Sequence, residues 1–125
     1  MREARILLIE KDEELRAAVI SVLERAEYEV IDVGNALEGL KRMYEICPDV
    51  VIIADDLPGV NGEDLCSRLR RLCYVPIIVL GSEKSEASLQ ILDSGADVYL
   101  TKDHNYRELV ARVRSLLRRK SRSGF

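Results

Sequence analysis

Charged residues stand directly after the apolar runs of this sequence, and their types and spacing decide what chemistry is available. Carboxylates grouped with lysines at such places are suited to holding a divalent cation or an anionic group. If the apolar runs are strands of an open parallel sheet, the residues that follow them converge where such sheets bind ligands. These residues are Glu10, Lys11 and Asp12, then Ala54 to Gly62, then Gly81 and Ser82, and finally Thr101 to His104.

Nucleotide sites and common catalytic sites do not match these residues. The chain has neither a GxGxxG motif nor a P-loop lysine within a glycine run. The loop after the first apolar run reads EKDEE, and its carboxylates would repel a phosphate. His104 is the only histidine and has no matched cysteine or serine partner, so we expect an exposed loop residue rather than a catalyst. Cys47, Cys66 and Cys73 lack CxxC spacing, and we expect reduced thiols rather than a disulfide or metal site.

The composition indicates one folded domain. The 125 residues are 47% hydrophobic and 33% charged, which excludes a disordered chain. No apolar run approaches the roughly 18 residues of a transmembrane helix. The N-terminus MREARILLIE lacks the cleavage site of a signal peptide. We therefore expect a cytoplasmic protein that does not contact a membrane.

The charge is distributed unevenly along the chain. Residues 1–108 contain 13 Lys and Arg against 22 Asp and Glu, whereas the residues after Glu108 include six basic and no acidic ones. The acidic body argues against nucleic acid lying on the domain itself. Two interpretations of the basic end stay open. It is either a helix C-terminus whose cations complement the helix dipole before a linker, or an arm that contacts nucleic acid.

The periodicity of the apolar residues predicts five strands alternating with five helices. Runs such as RILLI and VVII are typical of strands buried on both faces. The stretches between the runs carry apolar residues at steps of three and four, which is typical of helices. Asp12 and Asn35 are expected to cap the first two helices. Short right-handed crossovers then give a parallel sheet with helices on both faces.

The same periodicity predicts helix boundaries and buried faces. The fourth helix is expected over 84–94 and the fifth over 105–119. A domain of residues 1–119 would then be followed, at 120–125, by a frayed basic tail or the start of a linker. The side chains expected to be buried in the second and third helices are Leu37, Leu40 and Tyr44, and Leu65, Leu69 and Leu72.

Four stretches carry a resemblance to a known family: RILLIEKDEELR, PDVVIIADDLPGVNGEDLCSRLR, VPIIVLGS and SGADVYLTK. Over essentially its whole length the chain resembles the CheY-like receiver domain of bacterial two-component response regulators. The resemblance implies a flavodoxin-like (βα)5 fold, in agreement with the periodicity. It also implies a site in which an acidic pair holds Mg2+ and an Asp ending the third strand accepts a phosphoryl group. A Ser or Thr and a Lys then contact that group.

The residues at the implied positions depart from the family's pattern. The acidic pair reads Glu10 followed by Lys11. The phosphoacceptor lies four residues before the proline of its loop, and counting back from Pro58 gives Ala54. The position of the Ser or Thr is Gly81. The resemblance therefore implies a receiver that lacks its phosphoacceptor.

Two further positions keep the family's residues. Lys102 matches the family's lysine, although the proline that usually follows it is Asp103, and Tyr99 matches the switch aromatic. Glu10 against Lys11 and Lys102 leaves a net charge of about +1, or zero if Asp56 leans in. We therefore expect no Mg2+ and no other cofactor.

The hypothesis from the sequence is a degenerate receiver that is not an enzyme and signals by protein contact without phosphorylation. Lys11 either points to solvent or places its ammonium where the metal would lie, near Glu10 and Asp56. Lys102 is expected to pair with Glu10 rather than to have an active role. One alternative is a receiver that is phosphorylated on Asp55 or Asp56. The other is a small-molecule-binding domain of the same fold, in which Ala54 and Gly81 leave room for an uncharged ligand.

The resemblance also implies a contact surface. In this family the face of the fourth helix, fifth strand and fifth helix carries dimerisation, and Asp97, Arg112 and Arg114 are the candidate residues on it. The partner would be a second copy or another protein. The stretch ELVARVRSLLRR resembles the end of receivers that continue into a DNA-binding output domain. DNA contact is therefore expected only through an output domain outside this sequence.

Overall fold

Five parallel strands alternate with five helices in the computed structural model, which describes residues 3–83, 85–103 and 105–123, with side chains to residue 119. The strands are β1 (Arg5–Ile9), β2 (Glu29–Val33), β3 (Val50–Ala54), β4 (Ile77–Gly81) and β5 (Val98–Thr101). The helices are α1 (Glu13–Arg25), α2 (Ala36–Ile46), α3 (Gly62–Leu72), α4 (Glu86–Asp93) and α5 (Tyr106–Ser123).

The sheet has the strand order β2-β1-β3-β4-β5, and every neighbouring pair is parallel. The order reverses between β1 and β3, which is where a doubly wound sheet opens a crevice at its carboxyl edge. All five residues of β3 and of β4 are buried, as expected for strands covered by helices on both faces. The predicted flavodoxin-like (βα)5 fold is confirmed.

Two apolar layers cover the sheet. One contains Met43 of α2, Leu65 and Leu69 of α3, and Ile91 of α4. The other contains Val19 and Leu23 of α1, and Leu109, Val113 and Leu116 of α5. Helices α1 and α5 therefore share one face of the sheet, and the three remaining helices share the other.

The predicted helix caps are present. The Asp12 carboxylate accepts hydrogen bonds from the amides of Glu14 at 3.0 Å and Leu15 at 3.1 Å. The Asn35 side chain accepts from the amide of Glu38 at 2.9 Å. Each cap satisfies amides that have no partner inside the helix, and so fixes where the chain turns from strand to helix.

The predicted buried face of α2 is wrong at two of its three residues. Leu37 is 66% exposed and Tyr44 is 69% exposed, whereas Gly39 and Met43 face inward. The reason is close packing, because a Cβ atom on Gly39 would overlap the Ile9 side chain of β1. In α3, Leu72 is likewise exposed, and Cys66 takes the inward position beside Leu65 and Leu69.

Two helix boundaries also differ from the prediction. Helix α4 is shorter than 84–94, because Ser85 caps it and Gly95 leaves it with φ of +128°. Helix α5 continues to Ser123 rather than ending at residue 119. That residues 120–125 are a basic tail or the start of a linker stays a prediction. The prediction for His104 and the last two residues of the expected tail lie outside the described residues.

All three cysteines are free thiols: Cys47 is exposed, Cys66 is buried and Cys73 is half-buried. Burial raises the pKa of the Cys66 thiol to about 11, so this group stays protonated at neutral pH. Within the described part of the chain, no helix combines the length and the apolar character needed to cross a membrane.

Candidate functional site

The carboxyl ends of β1, β3 and β5 bring the candidate site together. Backbone hydrogen bonds continue one residue past each strand, from Glu10 N to Val33 O at 3.1 Å, from Asp55 N to Leu80 O at 3.0 Å, and from Lys102 N to Gly81 O at 2.7 Å. The first residues of three loops are therefore held as firmly as the strands themselves. Their side chains have fixed starting points at the crevice.

Lys102 is the centre of a charge cluster at this edge. Its Nζ atom lies 2.8 Å from Asp56 Oδ1 and 3.5 Å from Glu10 Oε1. The Nζ atom of Lys11 lies 3.8 Å from Asp56 Oδ2, on the solvent side. We call Glu10, Lys102, Asp56 and Lys11 the lysine cluster. Two carboxylates face two ammonium groups, so its formal charge is zero, the value expected if Asp56 leans in.

Glu10 is the buried member of the lysine cluster, with 1% of the residue exposed. Its Oε1 atom accepts a hydrogen bond from the Asp12 amide at 3.2 Å, while Oε2 has no hydrogen-bond partner among the described residues. Burial raises the pKa of Glu10, and this effect outweighs the attraction of the Lys102 ammonium. Ionised Glu10 therefore depends on Lys102 for compensation.

For Glu10 the cost of burial outweighs the attraction of its partner, whereas for Lys102 and Asp56 the attraction between the two groups outweighs the cost of burial. Burial opposes the charge on both groups, but the hydrogen bond between them prevails. As a result, the pKa of Asp56 is lowered and that of Lys102 is raised. Both groups are therefore ionised at neutral pH, and Lys102 places a permanent positive charge beside Glu10.

The placement of Lys11 corrects one interpretation from the sequence. One of the two alternatives placed the Lys11 ammonium near both Glu10 and Asp56. In the structure Lys11 lies near Asp56, but the ammonium beside Glu10 belongs to Lys102. Lys11 extends from an exposed loop residue, with 46% of its side chain exposed, whereas only 22% of the Lys102 side chain is exposed.

Ala54 is the last residue of β3 and is 1% exposed. Its methyl group has no atom that can accept a phosphoryl group. The next residue, Asp55, turns to the other face of the sheet, as strand alternation predicts. There its Oδ2 atom accepts a hydrogen bond from the Tyr99 hydroxyl at 3.0 Å. The carboxylate nearest to Ala54 in sequence is therefore engaged away from the lysine cluster.

Gly81 does not leave an open space. A Cβ atom built on Gly81 would overlap the hydroxyl and the ring of Tyr99. The Tyr99 hydroxyl therefore occupies the space that a side chain at position 81 would take. The room expected there for an uncharged small molecule is filled by the protein itself.

The three residues predicted for the interface do not share one surface. Asp97 already has partners in its own chain, since its Oδ2 atom lies 3.1 Å from Arg70 Nη2 and 2.8 Å from the Ile77 amide. Arg112 lies 3.8 Å from Glu108 on an exposed flank of α5. Arg114 lines a groove against α1. It points away from Arg112 because two residues along a helix correspond to a rotation of about 200°. Arg112 and Arg114 thus lie on different sides of α5, and their part in an interface stays a prediction.

Sequence reasoning missed Arg70. Its guanidinium donates to the carbonyl oxygens of Gly95 at 2.6 Å and Val75 at 2.8 Å, besides pairing with Asp97. It therefore fastens α3 to the loop before β4 and the loop before β5. No signal in the sequence distinguishes Arg70 from the exposed Arg68 and Arg71 of the same helix.

The residues of the site do not fit a magnesium ion. Mg2+ requires near-octahedral oxygen coordination, and within residues 3–83, 85–103 and 105–123 no group of three or more His, Cys, Asp or Glu side chains could hold a metal. The two carboxylates of the lysine cluster are instead bound by ammonium groups. Lys11, at the second acidic position, adds a further positive charge.

Comparison with known proteins agrees with this fold. Residues 6–114 match the family model of the response regulator receiver domain. A response regulator receiver domain protein (CheY-like) from Methanospirillum hungatei has a TM-score of 0.91 at 25% identity, covering 97% of this chain and 98% of that one. A two-component response regulator from Clostridium difficile has a TM-score of 0.89 at 27% identity, covering 94% and 98%.

Curated relatives are regulators of greater length. The chain is 37% identical over 118 residues to transcriptional regulatory protein AfsQ1 of Streptomyces coelicolor, covering 94% of this chain and 52% of that protein. It is 37% identical over 116 residues to DNA-binding response regulator MtrA of Mycobacterium leprae, covering 92% and 52%. The chain thus spans about half the length of these relatives. It belongs to the response regulator receiver domain family.

Proposed function

We propose that this domain is a phosphorylation-independent receiver, a non-enzymatic signalling module that acts through protein contact. The observation that carries the proposal is the Lys102 ammonium, held between Asp56 at 2.8 Å and Glu10 at 3.5 Å, together with Ala54 as the last residue of β3. In this arrangement a side chain of the protein supplies the positive charge, and no carboxylate occupies the end of β3.

Transfer of a phosphoryl group to the protein needs a carboxylate oxygen and cations that offset the charge of the incoming group. Ala54 supplies no oxygen, and Asp55 accepts a hydrogen bond from Tyr99 on the other face of the sheet. The positive charges are present, but both lysines already pair with Asp56. We therefore infer that neither a phosphoryl donor nor Mg2+ changes the state of the domain.

Asp56 is the one carboxylate that supports a second candidate function. It is 46% exposed and lies next to Lys102 and Lys11, so an incoming anion would meet two cations there. A receiver phosphorylated on Asp56 is the alternative that the experiments have to separate. Asp55 is the weaker alternative because its carboxylate already accepts a hydrogen bond from the Tyr99 hydroxyl at 3.0 Å.

We also propose that the domain is the receiver part of a transcriptional regulator. The relatives named above are a transcriptional regulatory protein and a DNA-binding response regulator, and the chain spans about half of each. Contact with DNA would then be made by an output domain beyond residues 1–119, which α5 joins through its basic end. The receiver itself would contact protein, either a second copy or another chain.

Thermal melting with beryllofluoride and Mg2+ tests the proposal. We expect an unchanged melting temperature for the parent, because no acidic pair and no acceptor are present. The matched variant is Lys11→Asp with Ala54→Asp, which restores both acidic positions and should be stabilised, by about 2.7 kcal/mol at a hundredfold excess over the dissociation constant. Lys11→Asp alone controls for the change in charge.

The parent and the double variant distinguish the outcomes of this test. Stabilisation of the parent by the two ligands together, to the extent seen in the double variant, would contradict the proposal. Loss of that response in Asp56→Asn would then identify Asp56 as the residue responsible. If the double variant does not fold, Lys11→Asp with Mg2+ alone still tests whether the native site lacks a metal.

A further inference from the structure

We propose that the groove between α1 and α5 binds a small organic anion, one that carries its charged group on an apolar body. We call this place the basic groove, and the residues that define it are Val22, Arg25, Arg107, Val110, Ala111 and Arg114. The proposal goes beyond the proposed function, because it adds a ligand to a module that contacts protein.

The size and the floor of the basic groove suit a small molecule. Its volume is about 520 Å3, which lies within the range of small-molecule sites. Val22 of α1 and Val110 of α5 line it and are half-buried, so each presents part of an apolar side chain to the groove. Tyr106, the first residue of α5, also lines it. An apolar ligand body would therefore cover surface that now faces water.

Three arginines surround this floor. Arg25 extends from α1, and Arg107 and Arg114 extend from α5, where seven residues place them about 10 Å apart along the helix axis. No acidic side chain lines the groove, so its formal charge is +3, in a chain whose net charge is −3. The groove is therefore complementary to an anion, unlike the chain as a whole.

The guanidinium groups of the basic groove are available to a ligand. Within the described part of the chain none of the three forms an ion pair, and Arg25 only donates to Ser21 Oγ of its own helix at 3.3 Å. Arg112, on the other side of α5, instead lies 3.8 Å from Glu108. Because a guanidinium fork matches the oxygens of a carboxylate or a phosphate, an anion could bind here without breaking an ion pair of the protein.

Ala111 keeps the space between two of the arginines open. It lies four residues after Arg107 and three before Arg114, so all three share one side of α5. Ala111 is exposed and contributes only a methyl group to the groove. A larger side chain at this position would fill the groove without entering the core. Position 111 therefore allows the site to be blocked while the fold is kept.

Titration with naphthoate, followed by backbone amide chemical shifts, tests the proposal on the whole chain. We expect saturable shifts at Val22, Val110 and Ala111. Acetate, which has the charge without the body, and naphthalenemethanol, which has the body without the charge, should both bind more weakly. A control ligand that binds as tightly as naphthoate, or shifts that do not saturate, would overturn the proposal. Naphthyl phosphate is the second probe: tighter binding than naphthoate assigns the ligand to phosphate esters, and weaker binding assigns it to carboxylates.

Variants then locate the naphthoate site. We expect Arg107→Gln and Arg114→Gln each to weaken binding roughly threefold, as for the loss of an exposed ion pair. The matched control Arg112→Gln should leave the affinity unchanged. Ala111→Leu should abolish binding while the melting temperature stays at or above that of the parent, since leucine favours helix nearly as well as alanine. Unchanged affinity in Ala111→Leu, or equal weakening in Arg112→Gln, would contradict the site.

These outcomes are independent of the test of the proposed function, because no phosphoryl donor or Mg2+ is present. A parent that binds naphthoate in the groove and is also stabilised by beryllofluoride and Mg2+ would keep the ligand site and reject phosphorylation independence. A parent that responds to neither would do the reverse.

Discussion

At the residue scale, the ammonium group of Lys102 determines the electrostatics of the site. Glu10 is buried and its pKa is raised by that burial, so its charge is tolerated only with a nearby cation. Lys102 supplies this cation at 3.5 Å and is itself anchored by Asp56 at 2.8 Å. The residues that look like remnants of a metal site therefore form a compensated group of charges.

Replacing Lys102 tests this compensation. Lys102→Met keeps the apolar stem and removes the charge, which leaves Glu10 without its cation. We expect a loss of about 1–3 kcal/mol in the free energy of unfolding at pH 7. The matched control is Lys11→Met, where an exposed pair at 3.8 Å is lost and the change should be about 0–1 kcal/mol. Equal losses in urea denaturation of the two variants would contradict the central place of Lys102.

The raised pKa of Glu10 gives a prediction with a definite sign. An acid whose pKa is raised by folding contributes most to stability while it is protonated, and this contribution is lost as the pH rises above 4.5 and through the folded value. Glu10→Gln mimics the protonated form at every pH. We therefore expect the stability of E10Q to rise relative to the parent between acidic and neutral pH. A relative fall over that interval, measured by urea denaturation, would show that Lys102 overcompensates burial.

At the scale of elements, Arg70 joins parts of the chain that are distant in sequence. From α3 it donates to Gly95 and Val75 and pairs with Asp97, so it secures the loops before β4 and before β5. Asp97 in turn accepts from the first amide of β4 at 2.8 Å. Asp97 therefore joins α3 to the start of β4, and its part in a contact between two copies stays a prediction.

Replacing Arg70 by lysine tests how much the shape of the guanidinium group contributes to these hydrogen bonds. Arg70→Lys keeps the charge but loses the planar fork that reaches several acceptors at once. We expect it to cost roughly 1–2 kcal/mol in the free energy of unfolding. Arg68→Lys, an exposed change on the same helix, should remain within about 0.5 kcal/mol of the parent. Similar values for both would mean that the Arg70 hydrogen bonds contribute no net stability.

Local signals allowed much of the fold to be predicted from the sequence. The caps at Asp12 and Asn35 and the buried runs of β1 and β3 depend on neighbours in the chain, and they were predicted correctly. The inward face of α2 depends instead on how closely the helix approaches β1, and only Gly39 reports it. Periodicity favours Leu37 and Tyr44 because it counts apolar residues without knowing that distance.

The sequence indicated which residues lie at the candidate site better than it indicated which of their side chains contact one another. The residues at the carboxyl edge were identified from the topology, which fixes where each strand ends. The pairing of Lys102 with Glu10 was expected from the sequence and is confirmed at 3.5 Å, whereas the second contact of Lys102, with Asp56, depends on side-chain reach across β3 and β5, and the sequence carries no record of it. The hydrogen bond between Asp55 and Tyr99 was missed for the same reason, since 44 residues separate the two residues.

At the scale of the whole molecule, α5 separates two surfaces. Arg112 lies on one flank near Glu108, whereas Arg107 and Arg114 line the groove against α1 on the other. If the flank of Arg112 contacts a second copy, Arg112→Glu should weaken self-association in sedimentation experiments. The matched control Arg107→Glu should leave it unchanged. If both substitutions weakened self-association equally, the cause would be the change in net charge rather than the position of Arg112.

The same sedimentation experiment bears on regulation. Because the lysine cluster is already compensated, we expect the sedimentation profile to be identical with and without Mg2+ and beryllofluoride. A shift from monomer to dimer on their addition would show that the assembly responds to the site. The proposed standing contact would then be incorrect.

Intact mass after incubation with acetyl phosphate and Mg2+ tests the central claim most directly. The chain offers Ala54 where the family places its acceptor, and its nearest carboxylates are bound by Tyr99 and by two lysines. The account predicts an unchanged mass for the parent, alongside a gain of one phosphoryl group in Lys11→Asp with Ala54→Asp as the positive control. A gain of one phosphoryl group by the parent, lost in Asp56→Asn, would contradict it.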